Sequence, residues 1–124
     1  MIGLGEVGVQ VANAALELGM KVLGYDPAIT IRHAWQLSAR VERAAAIEEV
    51  CKKADAITLH VPLIETTRHL INAERLALMK TRAVVLNFAR AGIVDAEAVT
   101  AALDTGRIRG YVCDFPSATL LGHP

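Results

Sequence analysis

The chain has 124 residues, 13 of them basic and 13 acidic, and 53% of it is hydrophobic. That length suffices for one domain with its own core, and the composition excludes an intrinsically disordered chain. The balanced charge and the aromatic content of 4% give no indication that the chain binds a nucleic acid or a membrane surface. Charged or amide side chains interrupt the apolar stretches, and no basic flank precedes an apolar run, so neither a membrane span nor a signal peptide is predicted.

The two cysteines, Cys51 and Cys113, are too few for a disulfide framework. No cluster of cysteine and histidine has the spacing of metal ligands, so no metal site is expected. Cys51 falls on an apolar helix face and Cys113 in a strand, which predicts that both are buried small hydrophobes. A reducing, cytoplasmic setting fits this cysteine usage best.

Short β-rich runs alternate with helical periodicity from the start of the chain. Ile2–Leu4 is predicted to end a strand, Gly19 to stop the helix that follows, and Lys21–Tyr25 to form the next strand. The first helix is predicted to bury the face formed by Val7, Val11, Ala14, Ala15 and Leu18, opposite Gln10, Asn13 and Glu17.

The pattern continues to the end of the sequence. Residues 27–40 are predicted as loop with some helix around Trp35, and residues 41–44 as a short third strand. Helices are predicted through Ile47 and Ala54, from a cap at Asn72 to about Met79, and from a cap at Asp95 to a stop at Gly106. The intervening strands are predicted at Ala56–Leu59, Ala83–Leu86 and Gly110–Cys113.

Strands separated by helices predict an α/β fold, a doubly wound parallel sheet of Rossmann type with helices on both faces. The first strand has only about three residues, whereas five or six are usual. We therefore expect this strand to be truncated and the chain to be a fragment of a longer protein.

Three glycines, Gly3, Gly5 and Gly8, follow the first strand and open the first helix. This spacing allows a tight turn, close approach of a pyrophosphate to the backbone, and close packing of the helix on the strand. Asp26 closes the second strand eighteen residues after Gly8, the distance expected of an acid that binds a ribose diol. Pro27 rather than arginine follows Asp26, so NAD is favoured over NADP.

Two other interpretations of the glycine motif stay open at this point. It could be a glycine-rich turn beside an ordinary surface aspartate, although three independent features agree against that. A methyltransferase that uses S-adenosylmethionine can also carry such a loop.

Several separate blocks, in the right order, make the chain resemble the D-isomer-specific 2-hydroxyacid dehydrogenases. The blocks are GLGEVG at 3–8, LGMKVLGYDP at 18–27, HVPL at 60–63, TTRHLIN at 66–72, NFARAGIVD at 87–95 and YVCDFP at 111–116. The resemblance implies an NAD-dependent oxidoreductase, of which residues 1–124 are part of the NAD-binding domain and the substrate domain is absent. GYDP, NFAR and DFP are most like the branch of the family that acts on 3-phosphoglycerate, in serine biosynthesis.

Arg90 follows a buried apolar strand, at the edge where open α/β sheets bind ligands. A guanidinium there can hold a carboxylate by two hydrogen bonds and polarise the adjacent carbonyl, and the resemblance assigns Arg90 this catalytic role. The resemblance also implies that Asp114 holds the nicotinamide carboxamide. The ordinary alternatives are a structural salt bridge for Arg90 and a turn acid for Asp114. The cofactor-binding set is predicted as Gly3, Gly5, Glu6, Val7, Gly8, Asp26, Val61, Pro62, Phe88, Ala89, Arg90 and Asp114.

Histidine and tryptophan give weaker signals. His60 precedes the turn that the family places beside the adenosine of NAD, and it is predicted to be a packed or backbone-bonded residue rather than a base. His33, His69 and His123 match no catalytic histidine of the family and are expected in surface or loop positions. Trp35 fits either the core or an interface.

The resemblance also implies parts that the sequence lacks. The family's catalytic histidine would lie beyond the end of this chain, and the glutamate that tunes it is absent from residues 116–119. Ala91 replaces a glycine, which is expected to shift the arginine loop, and Ile64 replaces a threonine at the cost of one polar contact. The chain alone is therefore expected to bind NAD without turning over substrate. A homodimer through this domain is also implied, and an NAD(H)-sensing binding protein of the corepressor type is the alternative function.

Overall fold

The computed structural model describes residues 1–116 and residue 120, in which helices and strands alternate. The helices are α1 (Glu6–Glu17), α2 (Ile31–Gln36), α3 (Ile47–Lys53), α4 (Ala73–Leu78) and α5 (Ala96–Asp104). The strands are β1 (Leu23–Gly24), β2 (Glu42–Arg43), β3 (Ala56–Leu59), β4 (Val84–Asn87) and β5 (Gly110–Cys113). Single-turn 3-10 helices lie at Glu65–Thr67 and Ala91–Ile93. The predicted helices and the later strands are found with shifts at their ends, whereas the predicted first strand at Ile2–Leu4 is present only as isolated bridges of Ile2.

Ile2 connects two sets of parallel strands into one arrangement. β1 pairs with β2, and β3, β4 and β5 pair in that order, all in parallel. Ile2 bridges both Tyr25, just after β1, and Leu59 of β3, so the spatial order is β2, β1, Ile2, β3, β4, β5. The chain thus winds outward in both directions from its first residues, which confirms the doubly wound sheet of Rossmann type.

The two faces of the sheet carry separate cores. One core is built on α1 and contains Met1, Leu4, Val9, Ala12, Leu16 and Val22. The other contains the buried residues of α3, α4 and α5 together with Ile2, Ile57, Leu59 and Val85. Because successive residues of a strand face opposite sides, the adjacent residues Met1 and Ile2 contribute to different cores. Helices therefore cover both faces, as predicted.

The predicted buried face of α1 was only partly right: Val11 and Ala15 are half-buried and pack against the core, but the other three predicted residues are exposed. Val7 is 60% exposed and Leu18 is 77% exposed, and Ala14 also faces solvent. The buried residues of α1 are instead Gly8, Val9, Ala12 and Leu16. Gly8 sets this rotation, because a Cβ atom there would lie 2.2 Å from the carbonyl oxygen of Gly3. The helix can approach the first turn only on its glycine side, so the contact at Gly8 outweighs the apolar periodicity.

The predicted caps of the helices are present. Asn72 and Asp95 accept hydrogen bonds through their side chains from backbone N–H groups in the first turns of α4 and α5. Gly19 and Gly106, just beyond α1 and α5, have φ angles of 88° and 70°, which a glycine adopts without strain.

The cysteines and the tryptophan differ in exposure. Cys51 is fully buried, as predicted, and burial raises the pKa of its thiol. Cys113 is only half-buried, which corrects the prediction, because β5 is the edge strand of the described sheet. Trp35 is 85% exposed and so is no part of the core. No helix among the described residues is long and apolar enough to cross a membrane.

Candidate functional site

The predicted site residues lie in a row along one edge of the sheet. Asp26, the glycine loop, His60, Arg90 and Asp114 each follow the carboxyl end of a strand, in the spatial order of those strands. From β1 to β5 this row crosses four strand spacings, roughly 19 Å. A ligand that contacts all of it must be long and extended, as a dinucleotide is.

The glycine loop forms a close contact at each end and leaves space in its middle. Gly3 has a φ of 96°, and a Cβ atom there would lie 2.6 Å from the carbonyl carbon and oxygen of His60. Gly8 touches the Gly3 carbonyl, as described above. A Cβ atom at Gly5 would meet nothing within 4 Å. Gly5 therefore borders open space at the amino terminus of α1, where free N–H groups can receive a pyrophosphate.

The Asp26 carboxylate is fixed beside this loop by backbone hydrogen bonds. The Leu4 N–H donates to Oδ2 at 2.8 Å, and the Ala28 N–H donates to Oδ1 at 2.9 Å. Each carboxylate oxygen can accept more than one hydrogen bond, so both can still accept from a ribose diol. A cavity of about 350 Å³ opens beside Asp26, with Leu4, Pro27 and Val41 in its lining. The chemistry and the space fit an adenosine end of NAD.

The α1 residues that follow Gly5 are open to solvent. Glu6 and Val7 are both exposed in the first turn of α1. Their side chains are accessible to a ligand at the glycine loop, consistent with the predicted contact.

The turn after β3 closes on the glycine loop. Val61 is half-buried, and its Cγ1 would lie 2.9 Å from a Cβ atom at Gly3, while Pro62 is exposed. Thr67 fastens the turn, since its Oγ1 donates to the Pro62 carbonyl at 2.6 Å and accepts from the Ile64 N–H at 2.8 Å. Ile64 thus makes its polar contact through its backbone.

His60 is a packed residue, as predicted. Its Nε2 lies 2.9 Å from Thr58 Oγ1, and its backbone N–H donates to the Ile2 carbonyl at 2.8 Å. Partial burial, and then the positive charge of the amino terminus, lower the pKa of His60. The neutral imidazole is therefore favoured, and a structural role follows from its contacts.

The other histidines take no part in this row of loops. His33 is half-buried in α2, and His69 is exposed in a turn with a φ of 51°. The His69 N–H donates to the Gly92 carbonyl at 2.9 Å, which ties its turn to the loop that follows Arg90. His123 lies outside the described residues.

Arg90 presents its guanidinium to solvent at the carboxyl end of β4. Its Nη1 donates to the Ala89 carbonyl at 2.8 Å, and it takes part in none of the ion pairs among residues 1–116 and 120. The ordinary alternative, a structural salt bridge, is thus not what the described structure shows. Phe88 is exposed beside it and Ala89 is half-buried.

Ala91 opens the 3-10 helix after Arg90 without backbone strain. Among the described residues other than glycine, only His69 has a positive φ, so Ala91 adopts a conformation open to any residue. The expected shift of the arginine loop therefore has no cause in the backbone at this position.

Asn87 is a site residue that the sequence analysis missed. Its side chain is 2% exposed and donates from Nδ2 to the Arg90 carbonyl at 2.9 Å and to the Tyr111 hydroxyl at 3.1 Å. Its Oδ1 accepts from the Ala89 N–H at 3.1 Å. A polar residue that ends an apolar strand was the available signal, because a buried amide needs partners for all its groups.

Asp114 lies exposed in the bend after β5. Its position at the end of the row fits a contact with the nicotinamide end of the cofactor. Residues 117–119, where the sequence analysis noted that a glutamate is missing, lie outside the described residues.

The sheet order, the glycine loop and the acid at the end of β1 define a dinucleotide-binding domain of the Rossmann class. A family model described as the NAD binding domain of D-isomer specific 2-hydroxyacid dehydrogenases matches residues 1–121. The chain belongs to this family, and NAD is its cofactor.

The similar proteins differ in the substrates that their names give. The chain is 46% identical over 114 residues to D-3-phosphoglycerate dehydrogenase of Methanocaldococcus jannaschii, covering 92% of the chain and 21% of that protein. It is 44% identical over 115 residues to (S)-sulfolactate dehydrogenase of Chromohalobacter salexigens, covering 92% and 36%. The crystal structure of D-lactate dehydrogenase from Aquifex aeolicus, complexed with NAD and lactic acid, superposes with a TM-score of 0.83 at 36% identity, covering 97% of this chain and 35% of that one. The chain thus spans between about a fifth and about a third of the length of these relatives.

Proposed function

We propose that this chain is the cofactor-binding portion of a cytoplasmic dehydrogenase that transfers hydride between NAD and a D-2-hydroxy acid. The observation that carries the proposal is the position of Arg90, exposed and without an ion pair among the described residues, at the same sheet edge as the glycine loop. NAD supplies the hydride acceptor, or the donor in the reverse direction.

The residues of the chain bind and orient the reactants in this proposal. Asp26 accepts from the ribose hydroxyls, and the backbone around Gly5 receives the pyrophosphate. Arg90 binds the substrate carboxylate through two parallel hydrogen bonds, which orients C2 and polarises its oxygen. In the oxidation, hydride leaves C2 as the hydroxyl proton passes to a base, which we propose lies in another part of the full-length protein.

For the substrate we propose 3-phosphoglycerate. Support comes from the GYDP, NFAR and DFP segments and from the relative of 46% identity. The relative of 44% identity that bears the name of a sulfolactate dehydrogenase shows why the substrate needs its own test. The residues that would bind the rest of the substrate are expected outside this chain.

The cofactor test is a titration of the purified chain with NADH, NADPH and S-adenosylmethionine, with circular dichroism to verify the fold. Saturable binding that favours NADH is expected. A folded chain that ignores both nicotinamide cofactors would contradict the cofactor site, and a preference for S-adenosylmethionine would favour a methyltransferase.

The substrate test uses the full-length protein and compares kcat/KM for 3-phosphoglycerate, D-lactate and sulfolactate. A clear preference for 3-phosphoglycerate is expected. A preference for one of the others would retain the dehydrogenase and overturn the proposed substrate. Binding of NADH without turnover of any 2-hydroxy acid would favour the NAD(H)-sensing alternative.

A further inference from the structure

Asn87 has a set of hydrogen bonds that the cofactor site does not require. The amide lies at the carboxyl end of β4, almost fully buried, and each of its polar atoms has a partner. The oxygen accepts from Ala89, and the nitrogen has two hydrogens, one directed to Arg90 and one to Tyr111. A buried amide whose oxygen and both N–H groups have partners has one preferred orientation.

Two of these bonds hold the backbone on either side of the peptide bond between Ala89 and Arg90. The Ala89 N–H donates to Asn87 Oδ1, and the Arg90 carbonyl accepts from Asn87 Nδ2. The same carbonyl also accepts from the Ile93 N–H at 3.2 Å, at the end of the 3-10 helix. The backbone from which the guanidinium extends is thus fixed by a side chain of β4.

The third bond joins this loop to the neighbouring strand. Tyr111 of β5 packs against the core formed with α3, α4 and α5, which places its hydroxyl against Asn87. Burial raises the pKa of Tyr111, against the opposing effect of its hydrogen bond with Asn87, so the hydroxyl stays protonated near neutral pH. β5 ends at Cys113, directly before Asp114.

We propose that Asn87 and Tyr111 form a positioning pair that sets where Arg90 stands relative to β5 and to Asp114. The inference rests on the proposed function, since it gives the substrate-binding arginine its position relative to the nicotinamide end of the cofactor. Neither residue of the pair touches substrate in this account. Asn87 holds the Arg90 loop, and Tyr111 holds Asn87 to the strand that carries Asp114.

The direct test is Tyr111→Phe, which removes one hydroxyl group and keeps the ring in the core. In the full-length protein the KM for a 2-oxo acid is expected to rise about fivefold, the effect of one lost hydrogen bond. The kcat is expected to change by less than about twofold and the dissociation constant of NADH to stay the same. The variant weakens only the ground-state binding of the substrate carboxylate. The probes are pyruvate and 3-phosphohydroxypyruvate.

Thr100→Val is the matched control. It also removes one hydroxyl, whose hydrogen bond to the Ala96 carbonyl at 2.8 Å lies within α5. Its kinetic constants are expected to equal those of the wild type. An unchanged KM in Tyr111→Phe would overturn the positioning pair, and so would an equal rise in Thr100→Val.

A second measurement tests the pair without any catalysis. Hydrogen exchange at the Ala89 amide of the present chain is expected to be about fivefold faster in Tyr111→Phe than in the wild type and in Thr100→Val. Equal exchange in all three would overturn the inference. A wild-type protein that reduces no 2-oxo acid would contradict the proposed function alone, because the exchange experiment still reports on the pair.

Discussion

Asp26→Ala should weaken NADH binding and reduce stability by separate and measurable amounts. The carboxylate accepts one N–H from Leu4 and one from Ala28, each within 2.9 Å. At about 1 kcal/mol for each bond, the variant loses about 2 kcal/mol of unfolding free energy. For a domain of this length that corresponds to a fall of roughly 8 °C in Tm.

Loss of the contacts to the ribose diol adds a second effect. Two hydrogen bonds of about 1 kcal/mol each give a roughly thirtyfold increase in the dissociation constant of NADH. NADPH gains from the same change, since the carboxylate no longer repels its 2′-phosphate. The preference for NADH over NADPH is therefore expected to shrink by about tenfold or more.

The assay is a fluorescence titration with both cofactors, well below the Tm measured by circular dichroism. Asp55→Ala is the matched control, because Asp55 lies at the opposite edge of the sheet and its ion pair with Lys80 is exposed. Its titrations should equal those of the wild type. The ribose assignment is refuted if Asp26→Ala keeps the wild-type ratio of NADH to NADPH affinity.

Five further results are expected. Gly5→Ala should fold normally and bind NADH at least about tenfold more weakly, because its Cβ enters the pyrophosphate space, and normal NADH binding would contradict the loop assignment. Gly8→Ala should instead lose about 3 kcal/mol of unfolding free energy, because its Cβ clashes with the Gly3 carbonyl. Arg90→Lys should leave the Tm of the chain unchanged but lower kcat/KM of the full-length protein, since an ammonium group cannot form the two parallel hydrogen bonds; full activity would argue against its role. Burial lowers the pKa of His60, so the folded state binds a proton less readily than the unfolded state and stability is lost as the pH falls below about 6.5. His60→Gln should therefore flatten the fall in Tm below about pH 6.5, and an unchanged profile would contradict this. Light scattering should show a dimer, and a monomer over a wide range of concentration would oppose the homodimer.

The sequence predicted the elements of this fold because its signals were local. Asn72 and Asp95 cap their helices through bonds within one turn, and Gly19 and Gly106 take the positive φ angles that end α1 and α5. The strands β3 and β5 were predicted at their observed bounds because short apolar runs are separated by such stops. Each of these features depends on residues within a few positions along the chain.

The rotation of α1 could not be predicted in the same way. The helical periodicity of Val7 and Leu18 indicated one buried face, whereas the contact between Gly8 and the Gly3 carbonyl selected another. A steric contact of the backbone has no counterpart in hydrophobic periodicity. The same contact leaves Val7 exposed beside the glycine loop, where its predicted contact with the cofactor stays a prediction.

The positions of the site residues could be predicted, but the hydrogen bonds that hold them in place could not. The strand ends indicated where Asp26, Arg90 and Asp114 would lie, since parallel strands bring their carboxyl ends to one edge. The hydrogen bonds from Leu4 to Asp26 and from Asn87 to Tyr111 join residues on neighbouring strands, which become adjacent only once the sheet has its register. The buried amide of Asn87 meets Tyr111 because β4 and β5 pair with Val85 opposite Tyr111, two residues before Asn87. A shift of that register by one residue would turn Tyr111 to the other face and leave the amide without a partner, so the pairing of the strands itself specifies where the arginine stands.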